Sequence, residues 1–399
     1  MKHNWEYKTL GSACIPKKEI LRASLKFGKE DTIEYIDISS INKDSGKATT
    51  TTYTFADAPS RAQQVVNDDD VLVSLVRPNL KNIAVIQDNR DNLVGSSGFC
   101  ILRSRVLIQR FIYYIVNSDS FTNKLVLKCA GAAYPAVREQ DVKDIIIPVP
   151  PKEVQKLIVA ELDKINGVIA DCRELLLKLD TLAKSLFYDY FGDIYHNPKG
   201  WPVCKLGDVS EKISNGANTK IELDTYKTEG VMFFRCQNVW RNRFDLSDIV
   251  YVDEETNSKM KGSVLKHNDL LVTKIGRLFT ENSSLGRVAL YEGEDDKANL
   301  SGNLSFIRLK SNVAPKFILY IMISDYFREY VRNTTSGGID KRALNNSQLK
   351  DLPIYLPPFA LQEKFVERIE AIEKQKATVE ETIKKMQTLL DSRMDYWFN

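Results

Sequence analysis

The chain has 399 residues, of which 43% are hydrophobic and 27% are charged, so it can build two or three domains that each bury a core. No run of about 18 apolar residues is present, and the opening "MKHNWEYKTLGSACIP" is too polar for a secretory signal, so neither a membrane span nor secretion is expected. The formal net charge of +3 says little about partners, and no segment of the chain shows the strong basic bias of a small nucleic-acid-binding domain.

The six cysteines are far apart and include no Cys-x-x-Cys pair. This spacing indicates reduced, mostly buried thiols and favours a cytoplasmic protein over a disulfide framework or a zinc site. His3, His196 and His267 stand alone in the sequence, without further residues at ligand spacing, so no metal site is predicted.

Residues 1–150 mix short β-rich runs such as "VLVSLV" and "IAVIQ" with turn-forming residues and one helical stretch, "FIYYIVNSDSF". This pattern predicts a compact α/β (α+β) domain with a mixed β-sheet and loops long enough to carry function.

Residues 151–192 form the next segment, and a seven-residue apolar repeat follows Pro150-Pro151. Its steps alternate between four and three residues at Ile158, Leu162, Ile165, Ile169, Cys172, Leu176, Leu179, Ala183 and Leu186. Such a repeat predicts a long helix that pairs with another helix in a coiled coil.

Residues 193–356 and 357–399 repeat this organisation. "DVLVSLVR" returns as "DLLVTKIGR", "FIYYIVNSDSF" as "FILYIMISDYF", and "KDIIIPVPP" as "KDLPIYLPP", with the order kept and the offset rising from 199 to 207 residues. A gene duplication with loop insertions explains this drift, because chance similarity does not keep order over several segments.

The second heptad series lies 207 residues after the first without an insertion, at Phe365, Ile369, Ile372, Lys376, Val379, Ile383, Met386, Leu390 and Arg393. Paired helices need such a shared register, because one inserted residue rotates the seam away from its partner. Lys376 and Arg393 interrupt the series, and imperfect packing is expected there.

The two Pro-Pro steps predict sharp strand-to-helix junctions, because proline is tolerated in the first helical turn and keeps the preceding residue extended. A helix from Lys152 to Phe191 would be about 60 Å long. With an antiparallel mate it would hold two domains apart, related by an approximate two-fold axis, at a distance suited to two sites on DNA.

This order of domain, Pro-Pro-x-x-x-Gln helix, domain and Pro-Pro-x-x-x-Gln helix resembles the specificity (S) subunit of type I restriction–modification systems over the whole chain. The resemblance implies that each domain is a target-recognition domain that reads one half of a split double-stranded DNA target. It also implies that the helices set the half-site spacing and dock two methyltransferase (modification) subunits, with restriction subunits in the larger complex. S-adenosylmethionine, Mg and ATP would then belong to the partner subunits, and this chain would hold no cofactor.

Arginine and lysine are the favoured readers of guanine and of phosphate, so basic residues in loop-forming stretches are the candidate DNA contacts. They are Arg77, Lys81, Arg138, Arg241, Arg243, Lys274, Arg277, Lys341 and Arg342. A solvated surface charge is the alternative interpretation for each of them. The aromatic pairs Tyr190-Phe191 and Trp397-Phe398 either close the helix ends against the domains or anchor a partner subunit.

Two other classes of protein are weighed against this interpretation. A DNA methyltransferase needs an Asn/Asp-Pro-Pro-aromatic motif, but Val149 and Leu356 precede the Pro-Pro steps, and no nucleotide-binding glycine loop is present. A purely structural coiled-coil adaptor does not explain why the domains diverge while the helices keep register. The sequence therefore predicts a DNA-recognition subunit without catalysis of its own.

Overall fold

A computed structural model of the chain describes residues 5–43, 45–129, 135–217, 226–278, 283–335, 337–338 and 342–398. The chain forms two compact units: unit 1 contains Met1–Leu176 and Thr378–Asn399, and unit 2 contains Leu177–Ala377. No helix in the described ranges is both long enough and apolar enough to cross a membrane. All six cysteines are free, and only Cys14 and Cys100 are buried, so the prediction of mostly buried thiols was wrong.

Unit 1 contains short strands and helices that lead into one long helix. The strands are β1 (Glu6–Thr9), β2 (Thr32–Ile36), β3 (Ile41–Asn42), β4 (Lys47–Ala48), β5 (Thr51–Thr54), β6 (Ala62–Val65), β7 (Val71–Ser74), β8 (Ile83–Val85), β9 (Leu93–Ser96), β10 (Phe99–Leu102) and β11 (Ile146–Val149). The helices are α1 (Leu10–Ala13), α2 (Ala23–Lys26), α3 (Gln109–Asn117), α4 (Asp119–Val126), α5 (Glu139–Lys143) and α6 (Lys152–Phe191), which continues into unit 2.

Unit 2 has the same kinds of element. Its strands are β12 (Val203–Lys205), β13 (Ser210–Asn215), β14 (Val231–Phe234), β15 (Val239–Trp240), β16 (Arg243–Phe244), β17 (Val250–Val252), β18 (Leu270–Thr273), β19 (Ile275–Gly276), β20 (Val288–Leu290), β21 (Ala298–Leu300), β22 (Leu304–Leu309), β23 (Arg342–Ala343) and β24 (Pro353–Tyr355). Its helices are α7 (Glu254–Ser258), α8 (Pro315–Met322), α9 (Asp325–Thr334), α10 (Asn346–Lys350) and α11 (Phe359–Phe398), whose last part belongs to unit 1.

The sheet topology shows the duplication directly. In unit 1, β7 lies between β10 and β8, and β2 pairs antiparallel with β5 and parallel with β9. In unit 2, β18 lies between β22 and β20, and β14 pairs antiparallel with β17 and parallel with β21. The mixed sheets and the internal repeat predicted from the sequence are therefore confirmed.

The helical stretch predicted around "FIYYIVNSDSF" is interrupted, so the prediction of a single helix was wrong at this point. Helix α3 ends at Asn117, and the hydroxyl of Ser118 accepts a hydrogen bond from the Phe121 N–H at 3.2 Å, which caps α4. A serine side chain satisfies a free N–H at a helix start and favours a new helix there.

A buried ion pair recurs at equivalent positions in the two units. Asp70, at the start of β7, accepts two hydrogen bonds from Arg103 at 2.7 and 2.6 Å, and Asp269, at the start of β18, accepts two from Arg308 at 2.9 and 2.7 Å. Both aspartates are completely buried. Each arginine neutralises its carboxylate by a bidentate contact. This contact links the start of β7 to β10 in unit 1 and the start of β18 to β22 in unit 2.

The glutamine that follows each Pro-Pro step explains the repeated motif. The buried Gln155 side chain accepts from the Ile108 N–H and donates to the Pro150 carbonyl, both at 2.9 Å. In unit 2, the buried Gln362 accepts from the Ala314 N–H at 3.0 Å and donates to the Pro357 carbonyl at 2.8 Å. One side chain thus ties the start of the long helix to the residue that begins α3 or α8.

Replacing Gln155 with Leu is expected to lower the free energy of local opening around α3 by about 2 kcal/mol, because a partly buried N–H and a buried carbonyl lose their partners. Hydrogen exchange of the first turn of α3 measures this change. The same substitution at the exposed Gln140 serves as the control and should leave the exchange unaltered. Equal exchange in both variants would contradict the role assigned to Gln155.

In unit 2, the first part of α11 packs antiparallel to the last part of α6. Phe365 contacts Phe191 and Phe187, with ring centroids 5.1 and 5.6 Å apart, whereas further along α11 Lys376 pairs with Asp180, which lies earlier on α6. Ile369 and Ile372 join Phe365 in the core of unit 2, together with Leu179 and Ala183.

In unit 1, the end of α11 packs against the first part of α6 and against the sheet domain. Arg393 forms an ion pair with Glu161, and the Trp397 indole N–H donates to the same carboxylate at 3.0 Å. Trp397 also stacks on Trp5 with a centroid distance of 6.1 Å, and Phe398 contacts Phe111 at 5.7 Å. These contacts support the prediction that the aromatic ends close the helices against the domains.

The burial of the predicted seam residues varies along the helices. Ile158, Leu162, Ile165, Ile169, Leu179, Phe365, Ile369 and Ile372 are buried, whereas Leu176, Val379, Ile383 and Met386 are half-buried. Side chains between two helices stay partly open to solvent, so the seam residues are completely buried only where a sheet domain also covers the helix pair. Lys376 and Arg393 each form an ion pair with the facing helix, so both charges have a partner at the seam.

Candidate nucleic-acid interface

A short hairpin in unit 2 presents three side chains suited to nucleic acid. Strands β15 and β16 pair Trp240 with Arg243, and Arg241 and Asn242 form the two-residue loop between them. Asn242 has a left-handed φ of 58°, which asparagine adopts more readily than most residues, and its N–H donates to the Val288 carbonyl at 2.8 Å. This bond holds the tip of the hairpin against β20.

Arg287, which directly precedes β20, lies over the Trp240 ring with its guanidinium carbon 3.9 Å from the ring centroid. Arg243 approaches the same ring at 5.2 Å. The ring attracts both cations electrostatically. We call Trp240, Arg241, Arg243, Arg287 and Arg328 the arginine cluster.

Burial lowers the pKa of Arg241, and the neighbouring charge of Arg328 lowers it further. Burial also lowers the pKa of Arg287, with Arg243 adding to the effect. Like charges that share a partly desolvated site disfavour one another, and an anion bound there would relieve the repulsion. The electrostatics of the cluster therefore favour an anion.

Lys274 belongs to the same region as Arg287, because Thr273, which directly precedes Lys274, donates its N–H to the Arg287 carbonyl at 3.0 Å. Its amino group donates to the Asn215 side-chain oxygen at 2.6 Å, and burial lowers its pKa. The structure thus brings the predicted residues Arg241, Arg243 and Lys274 into one basic region of unit 2.

The other candidates in unit 2 lie outside this cluster. Arg277 is exposed, and Arg342 donates to the Thr335 carbonyl at 3.0 Å, which ties β23 to the end of α9. Lys341 lies outside the described residues.

In unit 1 the three candidates have different surroundings. Arg77 is exposed, with a left-handed φ of 48°, and its N–H donates to the Pro135 carbonyl at 2.8 Å, which brings it near Arg138 at the start of α5. Lys81 donates to the Asn117 carbonyl at 2.9 Å and to Asp119 at 2.6 Å. Lys81 therefore connects its turn to the start of α4, and its role in DNA binding stays a prediction.

Sequence reasoning missed Arg287 and Arg328. Arg287 stands alone between Gly286 and a strand, and Arg328 is one charge among several on α9. Neither position carries a local signal, because only the folded sheet brings them to the hairpin.

The family model for the type I restriction modification DNA specificity domain matches this chain twice, over residues 2–173 and 198–386. The MjaVIII specificity subunit of Methanocaldococcus jannaschii, of a type I restriction enzyme, is 22% identical over 348 residues, which are 82% of this chain and 79% of the relative. The StySPI specificity subunit of Salmonella potsdam is 22% identical over 391 residues, or 92% of this chain and 82% of that one.

Two solved structures show the same fold. A chain from a study of complex assembly and conformational transition of the type I R-M system aligns with a TM-score of 0.59 and 24% identity, covering 98% of this chain and 96% of its own length. The S subunit of a type I restriction-modification system from M. genitalium aligns with a TM-score of 0.56 and 14% identity, covering 99% of this chain and 96% of that subunit.

Proposed function

Because the chain belongs to the family of type I restriction–modification DNA specificity subunits, we propose that its two units read the two halves of a split double-stranded DNA target. Members of this family are the non-catalytic DNA-recognition component of such systems. Residues 1–150 and 193–356 are the two target-recognition domains in this proposal, and residues 151–192 and 357–399 are the helices that set the spacing.

The observation that carries the proposal is that the two units share one arrangement of strands but differ in the side chains of an equivalent hairpin. In unit 1, strands β3 and β4 form the hairpin that corresponds to β15 and β16 of unit 2. Each hairpin comes next in the chain after β2 or β14, the strand that has one antiparallel and one parallel neighbour in its sheet. The unit 1 hairpin pairs Asn42 with Lys47, whereas the unit 2 hairpin pairs Trp240 with Arg243. Side chains of different chemistry on equivalent scaffolds support the reading of different base sequences.

The helix pair offers the surface for the partner subunits in this proposal. Within unit 1, Leu157 on α6 is 69% exposed and Leu175 is 44% exposed. Exposed leucines on a helix favour burial against another protein, and two methyltransferase subunits are the proposed partners, with restriction subunits in the larger complex. S-adenosylmethionine, Mg and ATP would be held by those partners, and the complex would act in the cytoplasm.

Exchange of the unit 2 recognition domain tests the proposal. Replacing residues 193–356 with the corresponding domain of another specificity subunit should change one half of the recognised sequence and leave the other half and the spacing unaltered. Genome-wide methylation mapping in cells that carry the modification subunit reads out both halves. A change in both halves, or no change in either, would contradict separate reading by the two domains.

A further inference from the structure

A cavity of about 220 Å³ lies inside unit 2, with guanidinium groups from three separate elements at its walls. Arg241 comes from the hairpin loop, Arg287 from the residue before β20, and Arg328 from α9. The rest of the lining is largely apolar and includes Leu285, Met322, Phe327 and Val331. Convergent cations over an apolar floor are typical of a site that orients an anionic group.

Two of these arginines have no partner within the described ranges of the chain: neither the Arg241 nor the Arg328 side chain forms a hydrogen bond or an ion pair there. Asp325, at the start of α9, offsets their mutual repulsion in part, acting on Arg241 without a hydrogen bond. Arg308 and Lys316 of the same unit pair directly with carboxylates. The Arg241–Arg328 pair is therefore a positive site whose charge the described part of the fold leaves largely uncompensated.

We propose that Arg241 and Arg328 together bind a backbone phosphate of DNA. Guanidinium groups match the geometry of phosphate oxygens through paired N–H donors. A stacked base fits less well, because the Trp240 ring at the rim already has Arg287 and Arg243 against it. This inference deepens the proposed function, since a phosphate contact fixes the register of the domain without reading sequence.

A free anion such as inorganic phosphate offers the same chemistry as a phosphodiester. The surrounding charges favour DNA, because Arg243 and Arg287, 5.2 and 3.9 Å from the Trp240 ring centroid, extend the positive region beyond the space that one small ion needs. A polyanion interacts with all of these groups at once and releases its counterions on binding.

The test uses the full chain, a fluorescent duplex of random sequence, and salt from about 50 to 200 mM. The double variant Arg241→Gln with Arg328→Gln should bind with a salt slope shallower by about one, so that a fourfold rise in salt weakens its binding about fourfold less than that of the wild type. Its relative preference among sequences, measured by competition with unlabelled duplexes of defined sequence, should not change. The double variant Lys364→Gln with Arg368→Gln, which removes the same two charges from exposed positions on α11, is the matched control and should keep the slope.

Three outcomes would overturn the inference: an unaltered slope, an altered base preference with the slope kept, or stabilisation by inorganic phosphate that the double variant loses while DNA binding is unaffected. The second outcome indicates a base reader, and the third a site for a free anion. Because the duplex has a random sequence, the slope reports on this site even if the wild type shows no preference for a split target. A wild type without preference for a split target would contradict the proposed function and leave this inference standing.

Discussion

Replacing Arg308 with Met should lower the free energy of local opening of β18 and β22 by about 3 kcal/mol, because Asp269 would keep a buried negative charge without its partner. Asp269 is completely buried and accepts both guanidinium bonds, at 2.9 and 2.7 Å. Hydrogen exchange of peptides that cover these two strands measures the change in unit 2 by itself, which a single melting temperature of a chain with two units does not.

The double variant Arg308→Met with Asp269→Asn is the matched control. Removing the charge together with its partner should recover most of the loss, because the cost comes mainly from an unpaired buried ion. Arg103→Met should act in the same way on β7 and β10 of unit 1 and leave the unit 2 peptides unaltered, since Arg103 pairs with Asp70 inside unit 1. A change below about 1 kcal/mol for Arg308→Met would show that solvent reaches Asp269 and that the pair is not structural.

The architecture could be predicted from the sequence because the duplication presents each structural signal twice. The apolar seven-residue series and the Pro-Pro steps mark the long helices, and the structure has them at Lys152–Phe191 and Phe359–Phe398. The role of Gln155 and Gln362 could not be predicted, since their partners, Ile108 and Ala314, are 47 and 48 residues earlier in the chain. A repeated polar residue inside an apolar series indicates a buried contact without naming its partner.

The polar interruptions of the second helix show a similar limit. Lys376 and Arg393 stand at seam positions, and from one helix alone they predict weak packing. Their partners Asp180 and Glu161 lie one position after Leu179 and one before Leu162, just outside the first apolar series. Only the relative register of two antiparallel helices shows that each charge is matched.

Only part of the arginine cluster could be predicted, because its residues lie far apart in the sequence. Arg241 and Arg243 stand in one loop-forming stretch, so their types and spacing suggested a contact site. Arg287 and Arg328 come from the start of a strand and from a helix, and tertiary packing alone brings them to the Trp240 ring and the cavity. Charges brought together by the fold leave no pattern along the sequence.

Removing seven residues from each long helix should shorten the distance between the recognised half-sites by about three base pairs without changing their sequences. Seven helical residues span about 10 Å, and a base pair of B-DNA rises about 3.4 Å. Suitable segments are 170–176 of α6 and 379–385 of α11, because both lie between the ion pairs Glu161–Arg393 and Asp180–Lys376 and leave them intact. Seven residues turn an α-helix by about 20° less than two full turns, so the apolar seam still faces the other helix after the removal.

Methylation mapping with the modification subunit reads out the spacing directly. Removal of residues 170–176 alone is the control: it shortens one helix against the other, so that the ion pairs Glu161–Arg393 and Asp180–Lys376 can no longer form together, and it should abolish specific modification. DNA twists by roughly a third of a turn over three base pairs, so the shortened chain should also modify its new target more slowly than the parent modifies its own. An unchanged spacing in the doubly shortened chain would show that the helix pair does not set the half-site distance, whatever the recognition domains read.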